Sequence, residues 1–305
     1  MARGRRRLLG VVLVGMALVA AGCIPASSPP PSGPSTLLPA GTNPYGPAGK
    51  GEFLATCTLV KRATEDPIVA PGSTTFWHSH DFFGNTSVGP DSTVDTLLGQ
   101  GSSCVTAFDT AAYWIPTLSH DGTTVEPYFA NFYYRVNYPQ DPAKVRPIPT
   151  GLKMVAGSAG ATAAQPSSVM HWSCQHASIA SPTVPDCGND RVELWLKFPE
   201  CWDGVHLDSA DHKSHMAYAG GAGCPADHPV LIPQLVFQVV WQKFPSGGTT
   251  MVSSDHAMNG TDMPGGLTGH GDFINAWDPE AMQQRVATCL RTAVLCDING
   301  IVVGS

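Results

Sequence analysis

Residues 192–198, Val-Glu-Leu-Trp-Leu-Lys-Phe, decide the fold class of this 305-residue chain. In an extended strand, side chains at every second position share one face, and four apolar residues here do so. They are Val192, Leu194, Leu196 and Phe198. Glu193 and Lys197 would then lie on the opposite face. Leu235–Gln242 repeats this alternation, so both segments predict strands with one buried face.

Turn-forming residues and one capping motif set the rest of the predicted architecture. The 32 glycines and 27 prolines are spread through the chain, and long helices do not tolerate that density. Weaker strand candidates are Thr75–Phe83, Phe129–Asn137, Leu152–Ala156 and Val169–Ser173. Asp278 followed by Pro279 is typical of a helix N-terminus. The sequence therefore predicts a mostly β domain over residues 49–305, a single sandwich or jelly roll with a short C-terminal helix and long disulfide-stapled loops.

The N-terminus has the pattern of a secretion signal. It begins with four arginines, Arg3, Arg5, Arg6 and Arg7. The apolar stretch Leu8–Ala21 is short for a membrane span, and small residues then lead to Cys23, as in bacterial lipoproteins that carry a lipid on this cysteine. We expect a lipoprotein signal peptide at 1–22, a disordered Pro/Ser/Gly tether at 23–48, and a lipid-anchored extracytoplasmic protein. The alternative is an ordinary signal peptidase site, with Cys23 incidental.

The remaining cysteines support an oxidising compartment. Apart from Cys23 there are eight, an even number that is consistent with four disulfides. Short sequence separations favour three of the pairs, and the two cysteines that remain would form a fourth disulfide across a longer loop. The predicted pairs are Cys174–Cys187, Cys201–Cys224, Cys289–Cys296 and Cys57–Cys104. A cysteine zinc cluster is the competing use, but the chain has no Cys-x-x-Cys pair.

The charge of the chain excludes some classes of partner. Without the four signal arginines, 13 of the 17 basic residues remain against 24 acidic ones, a net charge of −11 with neutral histidine. Such a surface repels nucleic acid and anionic lipid, so we expect no nucleic-acid partner and membrane contact through the N-terminal lipid only. Cations and neutral glycans remain compatible partners.

The most polar stretch is 201–218, which contains three histidines and three aspartates. It cannot supply a core, because buried imidazoles and carboxylates need partners to offset lost hydration. Its pattern resembles the signature of a secreted family known as a domain of unknown function, numbered nineteen ninety-six. Other segments agree with that pattern, namely 66–72, His78-Ser79-His80 with Gly84, Cys224-Pro225, 228–230 and 270–278.

The resemblance spans about residues 52–290. It implies the architecture more than the chemistry, because no settled activity comes with the family. Its fungal and bacterial members are sometimes fused to carbohydrate-binding WSC modules, which implies work on glycans by analogy.

Three His/Asp segments from distant parts of the sequence predict one convergent site. His78 and His80 would share a face if they lie on a strand, and His215 and His270 with Asp272 supply further imidazole and carboxyl groups. These five residues are the candidate catalytic set. An isolated His-x-His pair is more often a turn, so the prediction depends on convergence.

Two chemistries fit such a site. In the first, His78, His80 and either His215 or His270 hold a divalent metal, with His215 the first choice, and Asp272 orients a ligand or activates water. In the second, no metal is bound, and a histidine and a tyrosine act as base and acid on a sugar. The partners considered are Tyr133, Tyr134, Arg135 and Tyr218, and the carboxylates for a glycosidase are Asp203, Asp208, Asp211 and Asp272.

Aromatic residues near these segments are candidates for stacking on a sugar ring. They are Trp77, Trp202, Tyr134, Tyr218 and Trp277. The leading interpretation is a surface-tethered protein that binds or acts on cell-wall or environmental polysaccharide, as a hydrolase or lyase if it is an enzyme. The alternatives are a non-catalytic metal- or glycan-binding lipoprotein and a structural envelope protein.

Overall fold

The computed structural model describes Met1 and residues 51–137, 139–256, 262–263 and 265–303. The predicted tether and Cys23 lie outside these residues, as does the signal peptide apart from Met1. From residue 51 onwards the described residues form one compact unit. Within this part of the chain, no helix is both long enough and apolar enough to cross a membrane.

Seventeen strands account for most of the regular structure in the described residues. In chain order they are β1 (Glu52–Cys57), β2 (Leu59–Ala63), β3 (His80–Gly84), β4 (Ala112–Pro116), β5 (Leu118–His120), β6 (Thr123–Thr124), β7 (Pro127–Arg135), β8 (Lys153–Gly157), β9 (Met170–Cys174), β10 (Ala177–Ser181), β11 (Val192–Lys197), β12 (Cys201–Trp202), β13 (Met216–Ala217), β14 (Val230–Leu231), β15 (Gln234–Trp241), β16 (Thr250–Val252) and β17 (His270–Ile274). The α-helices are α1 (Val94–Leu97) and α2 (Pro279–Arg285), and α2 continues as a π-helix over Val286–Leu290. Short 3-10 turns lie at Pro142–Lys144 and Ser253–Asp255.

The strands form two large antiparallel sheets. The six-stranded sheet has the order β1-β7-β15-β11-β9-β10, and the five-stranded sheet has the order β2-β3-β4-β17-β8. Two further sheets of three strands have the orders β13-β12-β14 and β16-β5-β6. Since β17 lies between β4 and β8, both of its neighbours are distant in sequence.

The main core lies between the two large sheets. Tyr113 of β4 stacks on Phe132 of β7 with ring centroids 3.7 Å apart. Gly271 of β17 also faces this core, where an added Cβ would come within 2.9 Å of Leu196 and 3.1 Å of Phe237. Only glycine therefore allows the two sheets to approach this closely at β17. The packing is that of a β-sandwich.

The structure confirms the mostly β fold and the capped helix. It also confirms the alternation on β11 and β15, but both faces of these strands are buried, because Trp195 and Val236 pack in a second cluster on the opposite face. Asp278 accepts a hydrogen bond from the backbone of Ala281 at the start of α2. The strand predicted at Thr75–Phe83 is shorter, because only His80–Gly84 pairs with its neighbours. Residues 75–79 lie beyond the end of β2, so His78 precedes the strand and does not alternate with His80.

All four predicted disulfides are present. They are Cys57–Cys104, Cys174–Cys187, Cys201–Cys224 and Cys289–Cys296. The pair Cys201–Cys224 closes the loop that carries the polar stretch 201–218. Strand β12 at the start of this stretch pairs with β13 near its end, so the loop is fixed at both ends.

Candidate metal centre

The candidate site lies on the face of the five-stranded sheet that points away from the sandwich core. Because side chains alternate along β17, Gly271 and Phe273 face the core while His270 and Asp272 face outward. On β3, His80 shares this outer face. His78 enters from the segment before β3, and its ring meets that of His80 with centroids 4.4 Å apart.

Three imidazoles converge through their Nε2 atoms. The Nε2 of His270 lies 3.2 Å from the Nε2 of His78 and 3.4 Å from the Nε2 of His80. Two nitrogens that bind one tetrahedral metal at about 2.0–2.1 Å lie roughly 3.3–3.4 Å apart. The spacing of the three rings therefore fits a metal ion in their midst.

The other ring nitrogens show which atoms carry hydrogen. The Nδ1 of His80 lies 2.8 Å from the carbonyl oxygen of Glu65, and the Nδ1 of His270 lies 2.9 Å from that of Thr268. A carbonyl only accepts, so both Nδ1 atoms donate, and the Nε2 of each neutral ring presents a lone pair. Two lone pairs that face each other repel, whereas a cation between them binds both. Metal-ligating histidines commonly have such a backbone partner on the second nitrogen.

Burial keeps these rings neutral. It lowers the pKa of His80 to about 3, with a further contribution from His270. Burial likewise lowers the pKa of His270 to about 4 and that of His78 far below its usual range. Neutral imidazole is the form that binds a metal.

Two carboxylates lie beside the imidazoles. Asp272 is 1% exposed, and neither of its oxygens has a hydrogen-bond partner among the described residues. Burial raises its pKa well above the usual value, and the nearby Asp66 raises it further. Asp66, His80 and Asp272 each offer one atom that could bind a metal, and these three atoms lie within 4.8 Å of one another. No role was predicted for Asp66, although this residue opens one of the segments that carry the family resemblance.

The comparison with known proteins now identifies the family. The sequence model described as Domain of unknown function (DUF1996) matches residues 66–277, which run from Asp66 to Trp277 and contain all three imidazoles. The chain belongs to this family. No curated protein and no solved structure matches it. The predicted resemblance is therefore confirmed, and the matched segment contains Asp66, Asp272 and all three imidazoles of the site.

The polar loop of the DUF1996 domain lies against β8 near the site. The Nζ of Lys213 donates to the carbonyl oxygen of Gly157 at 2.7 Å, and Gly157 pairs with His270. His212 bonds Asp208 at 2.8 Å, and Asp208 also forms an ion pair with Lys153. The segments 78–80 and 270–272 thus share one cluster, and the polar loop lies beside it without adding a residue to it.

His215 does not join the three converging imidazoles. Its Nδ1 lies 2.8 Å from the hydroxyl of Ser209, and its Nε2 lies 2.7 Å from the carbonyl oxygen of Lys153. The Nε2 contact holds the polar loop on β8, and the Nδ1 contact lies within the loop itself. The predicted ligand set of His78, His80 and His215 needs correction, since the structure brings His270 to the third position.

The predicted aromatic residues divide into two groups. Tyr134 and Trp277 are completely buried in the sandwich core and hydrogen-bond one another at 2.9 Å, so their position gives a sugar ring no access. Trp77 is 36% exposed, and its ring centroid lies 4.1 Å from that of His78. Tyr218 is exposed beside a shallow pocket that Lys213 also lines. Trp202 is partly buried and donates to the carbonyl oxygen of His206.

The groups proposed for metal-free chemistry lie elsewhere or have other partners. Tyr133 packs with Trp195 on the outer face of the six-stranded sheet, so the whole core separates it from His78. Tyr134 is a core residue, and Arg135 of the same strand pairs with Glu52. In the polar loop, Asp203 bonds His206 and Asp211 bonds Ser209 and Ser214. A histidine–tyrosine pair with Tyr133 or Tyr134 does not fit this arrangement.

Proposed function

We propose that this DUF1996 protein binds one divalent transition metal ion, zinc or copper, through His78, His80 and His270, and uses it to act on polysaccharide outside the cytoplasm. One observation carries the proposal. The Nε2 atoms of His80 and His270 present lone pairs to each other at 3.4 Å, with both Nδ1 atoms bound to carbonyl oxygens. Imidazole nitrogen suits exactly these borderline metals better than it suits magnesium or calcium.

The chemistry of the site follows from this donor set. Three histidines leave a position open on a four-coordinate metal, where a water or a substrate oxygen binds. The carboxylate of Asp272, two residues from His270 on the same face of β17, would accept a proton from such a water. The exposed ring of Trp77 beside His78 would hold a sugar ring at the edge of the site.

Location outside the cytoplasm is supported by the cysteines. Four disulfides in one domain are typical of an oxidising compartment, where they persist. The small residues before Cys23 favour lipid attachment there, and the tether at 23–48 would hold the domain off the membrane.

A non-catalytic metal protein is the second candidate, and the burial of the ligands favours it. His78, His80 and His270 are each less than 5% exposed, and Asp272 is 1% exposed. If Asp272 fills the fourth position, the metal is closed to substrate and stabilises the fold instead.

Metal analysis tests the metal centre. Protein purified without chelator should contain about one zinc or copper ion per chain, and the double variant His78→Ala/His270→Ala should contain almost none. The matched control is His176→Ala/His206→Ala, which removes two histidines whose side chains are 74% and 65% exposed. Near-zero metal in the wild type after loading, or equal metal in wild type and His78→Ala/His270→Ala, would contradict the proposal.

Activity on glycans separates the two candidates. Metal-loaded protein is incubated with a panel of polysaccharides, and new reducing ends and the absorbance of unsaturated products are measured. Reducing ends alone indicate hydrolysis, and absorbance indicates a lyase. Product that disappears in His78→Ala/His270→Ala supports catalysis, whereas a full metal content with no product from any polysaccharide supports the non-catalytic role.

A further inference from the structure

We propose that Asp66 and Asp272 form a second cation subsite beside the three-histidine centre, one that takes a hard divalent cation such as Mn²⁺. This inference rests on the proposed function, because it assumes that the imidazoles hold the first metal. It adds Asp66, a residue with no role in that centre, and it assigns a different class of ion.

The first argument is the state of Asp272. The residue is 1% exposed, and both carboxylate oxygens are buried without a hydrogen-bond donor in the described part of the chain. A buried carboxyl group without donors keeps its proton unless a cation offsets the lost hydration of the ionised form. Asp272 therefore points to a positive partner that binds oxygen.

The nearest basic side chains do not fill this role. Lys213 gives its ammonium group to the carbonyl oxygen of Gly157, and Lys153 is 3.3 Å from Asp208. His212 likewise bonds Asp208. Each of these three groups contacts another acceptor, so none of them pairs with Asp272.

The geometry of Asp66 completes the subsite. Its Oδ1 accepts from the backbone N–H groups of Ile68 and Val69, which fixes the carboxylate in place. Ligand atoms of Asp66 and Asp272 lie within 4.8 Å of each other and of a ring nitrogen of His80, and no hydrogen bond joins the two carboxyl groups in the described structure. A shared proton would require a short hydrogen bond between the oxygens. A cation that binds oxygens at about 2.1–2.4 Å accommodates the wider separation.

The chemistry of the donors separates the two subsites. The first offers three neutral nitrogens, which suit zinc or copper, and the second offers carboxylate oxygens, which suit manganese, magnesium or calcium. The two carboxylates also supply negative charge next to an otherwise neutral set of ligands. Two adjacent ions in one site are a known arrangement for displacement reactions at a bound substrate.

The experiment counts Mn²⁺ on protein that already holds zinc. Protein loaded with one equivalent of Zn²⁺ and freed of excess is titrated with Mn²⁺, and bound Mn²⁺ is measured as the loss of the free-ion electron paramagnetic resonance signal. We expect one Mn²⁺ per chain in the wild type and at least tenfold weaker binding in Asp66→Asn, with the zinc content unchanged. The control Asp95→Asn changes an exposed carboxyl of α1 and should bind as the wild type does.

The variant is chosen to keep the fold. Asparagine retains the oxygen that accepts from Ile68 and Val69, and Asp272→Asn provides a second test on another strand. No Mn²⁺ on zinc-loaded wild type, or unchanged Mn²⁺ binding in both variants, would overturn the second subsite. An absence of zinc from the wild type would instead contradict the proposed function. Mn²⁺ binding that Asp66→Asn still abolishes would then support the carboxylate subsite by itself.

Discussion

Two buried polar clusters of this molecule differ in whether their groups have partners. The tyrosine cluster, Asp109, Tyr113, Tyr134 and Trp277, lies in the sandwich core. There the hydroxyl of Tyr113 donates to Asp109 at 2.7 Å, and the indole of Trp277 donates to Tyr134 at 2.9 Å. The histidine cluster, His78, His80, His270 and Asp272, lies on the outer face of the five-stranded sheet. There the Nε2 acceptor atoms of His80 and His270 face each other, and the carboxyl group of Asp272 has no hydrogen-bond partner among the described residues.

This difference in hydrogen bonding indicates different roles for the two clusters. A buried polar group costs free energy unless it is hydrogen-bonded, and native proteins pair almost all of them. The tyrosine cluster meets that rule, so the stability of the core explains it. The histidine cluster breaks the rule among the described residues, as is expected where a bound ligand supplies the missing partner.

Removal of the metal should have the largest effect on stability. At a free zinc concentration about 1,000 times the Kd, binding adds about 4 kcal/mol to the free energy of unfolding. For a domain of this size, stripping the metal with a chelator should lower Tm by roughly 10 °C. The measurement is calorimetry with and without chelator. A chelator effect of the same size in His78→Ala/His270→Ala would place the metal elsewhere in the molecule.

The tyrosine cluster should govern part of the pH dependence. Burial raises the pKa of Asp109 from 3.8 to about 7, against the opposing hydrogen bond from Tyr113. Between about pH 4 and pH 7 the unfolded chain therefore loses this proton while the folded protein keeps it, and the free energy of unfolding falls as pH rises. The loss across this window is about 3–4 kcal/mol.

The variant Asp109→Asn isolates that contribution. Asparagine does not titrate, its oxygen can accept from the backbone N–H of Ala111, and its NH2 group, in the place of the second oxygen, can donate to the hydroxyl of Tyr113. Denaturant unfolding at pH 4, 5.5 and 7 should show the stability of Asp109→Asn rising relative to the wild type as pH increases. A constant difference between the two proteins would mean that Asp109 ionises normally in the folded state.

One substitution in both clusters should change stability in opposite directions. Asp109→Val leaves one hydroxyl of the Tyr113–Tyr134 pair and the backbone N–H of Ala111 without an acceptor, and it should destabilise the protein by about 1–3 kcal/mol. Asp272→Val removes two unpartnered oxygens from a strand, where valine is favoured, and should stabilise it by about 1–3 kcal/mol. Both are measured by urea unfolding at pH 7 with chelator present. A clear loss of stability in Asp272→Val would show that the carboxylate has a partner within the protein.

Much of the sandwich was predictable from alternation alone. Val192, Leu194 and Leu196 lie in the core as their spacing predicts, and Asp278 caps the helix that follows it. Sequence separation also sufficed for the disulfides, because short loops close at a low cost in entropy. These features depend on contacts between residues close in sequence or on a repeated pattern.

The composition of the site depended on register, which the sequence does not display. His270 meets His80 because β4 and β17 pair so that Asp272 lies opposite Trp114. His215 has the same local pattern of neighbouring aspartates, yet it bonds the backbone of Lys153. Tyr134 and Trp277 carry polar tips that suit a sugar, but those tips satisfy each other inside the core. Tertiary contacts between distant strands determine which of these side chains lie in the site.

The smallest expected effect on stability concerns the edge of the histidine cluster. Trp77 is 36% exposed beside His78, so Trp77→Ala should change the free energy of unfolding by no more than about 0.5 kcal/mol. If its ring stacks on a sugar, the variant should lose about 1 kcal/mol of binding, roughly fivefold in affinity. Affinity electrophoresis in gels that contain polysaccharide measures this change, and Phe108→Ala, which removes another exposed ring, is the control. If the polysaccharide retards the wild type and Trp77→Ala equally and retards only Phe108→Ala less, the glycan-binding surface lies away from the metal centre. In contrast to the tyrosine cluster, the histidine cluster would then serve the metal alone.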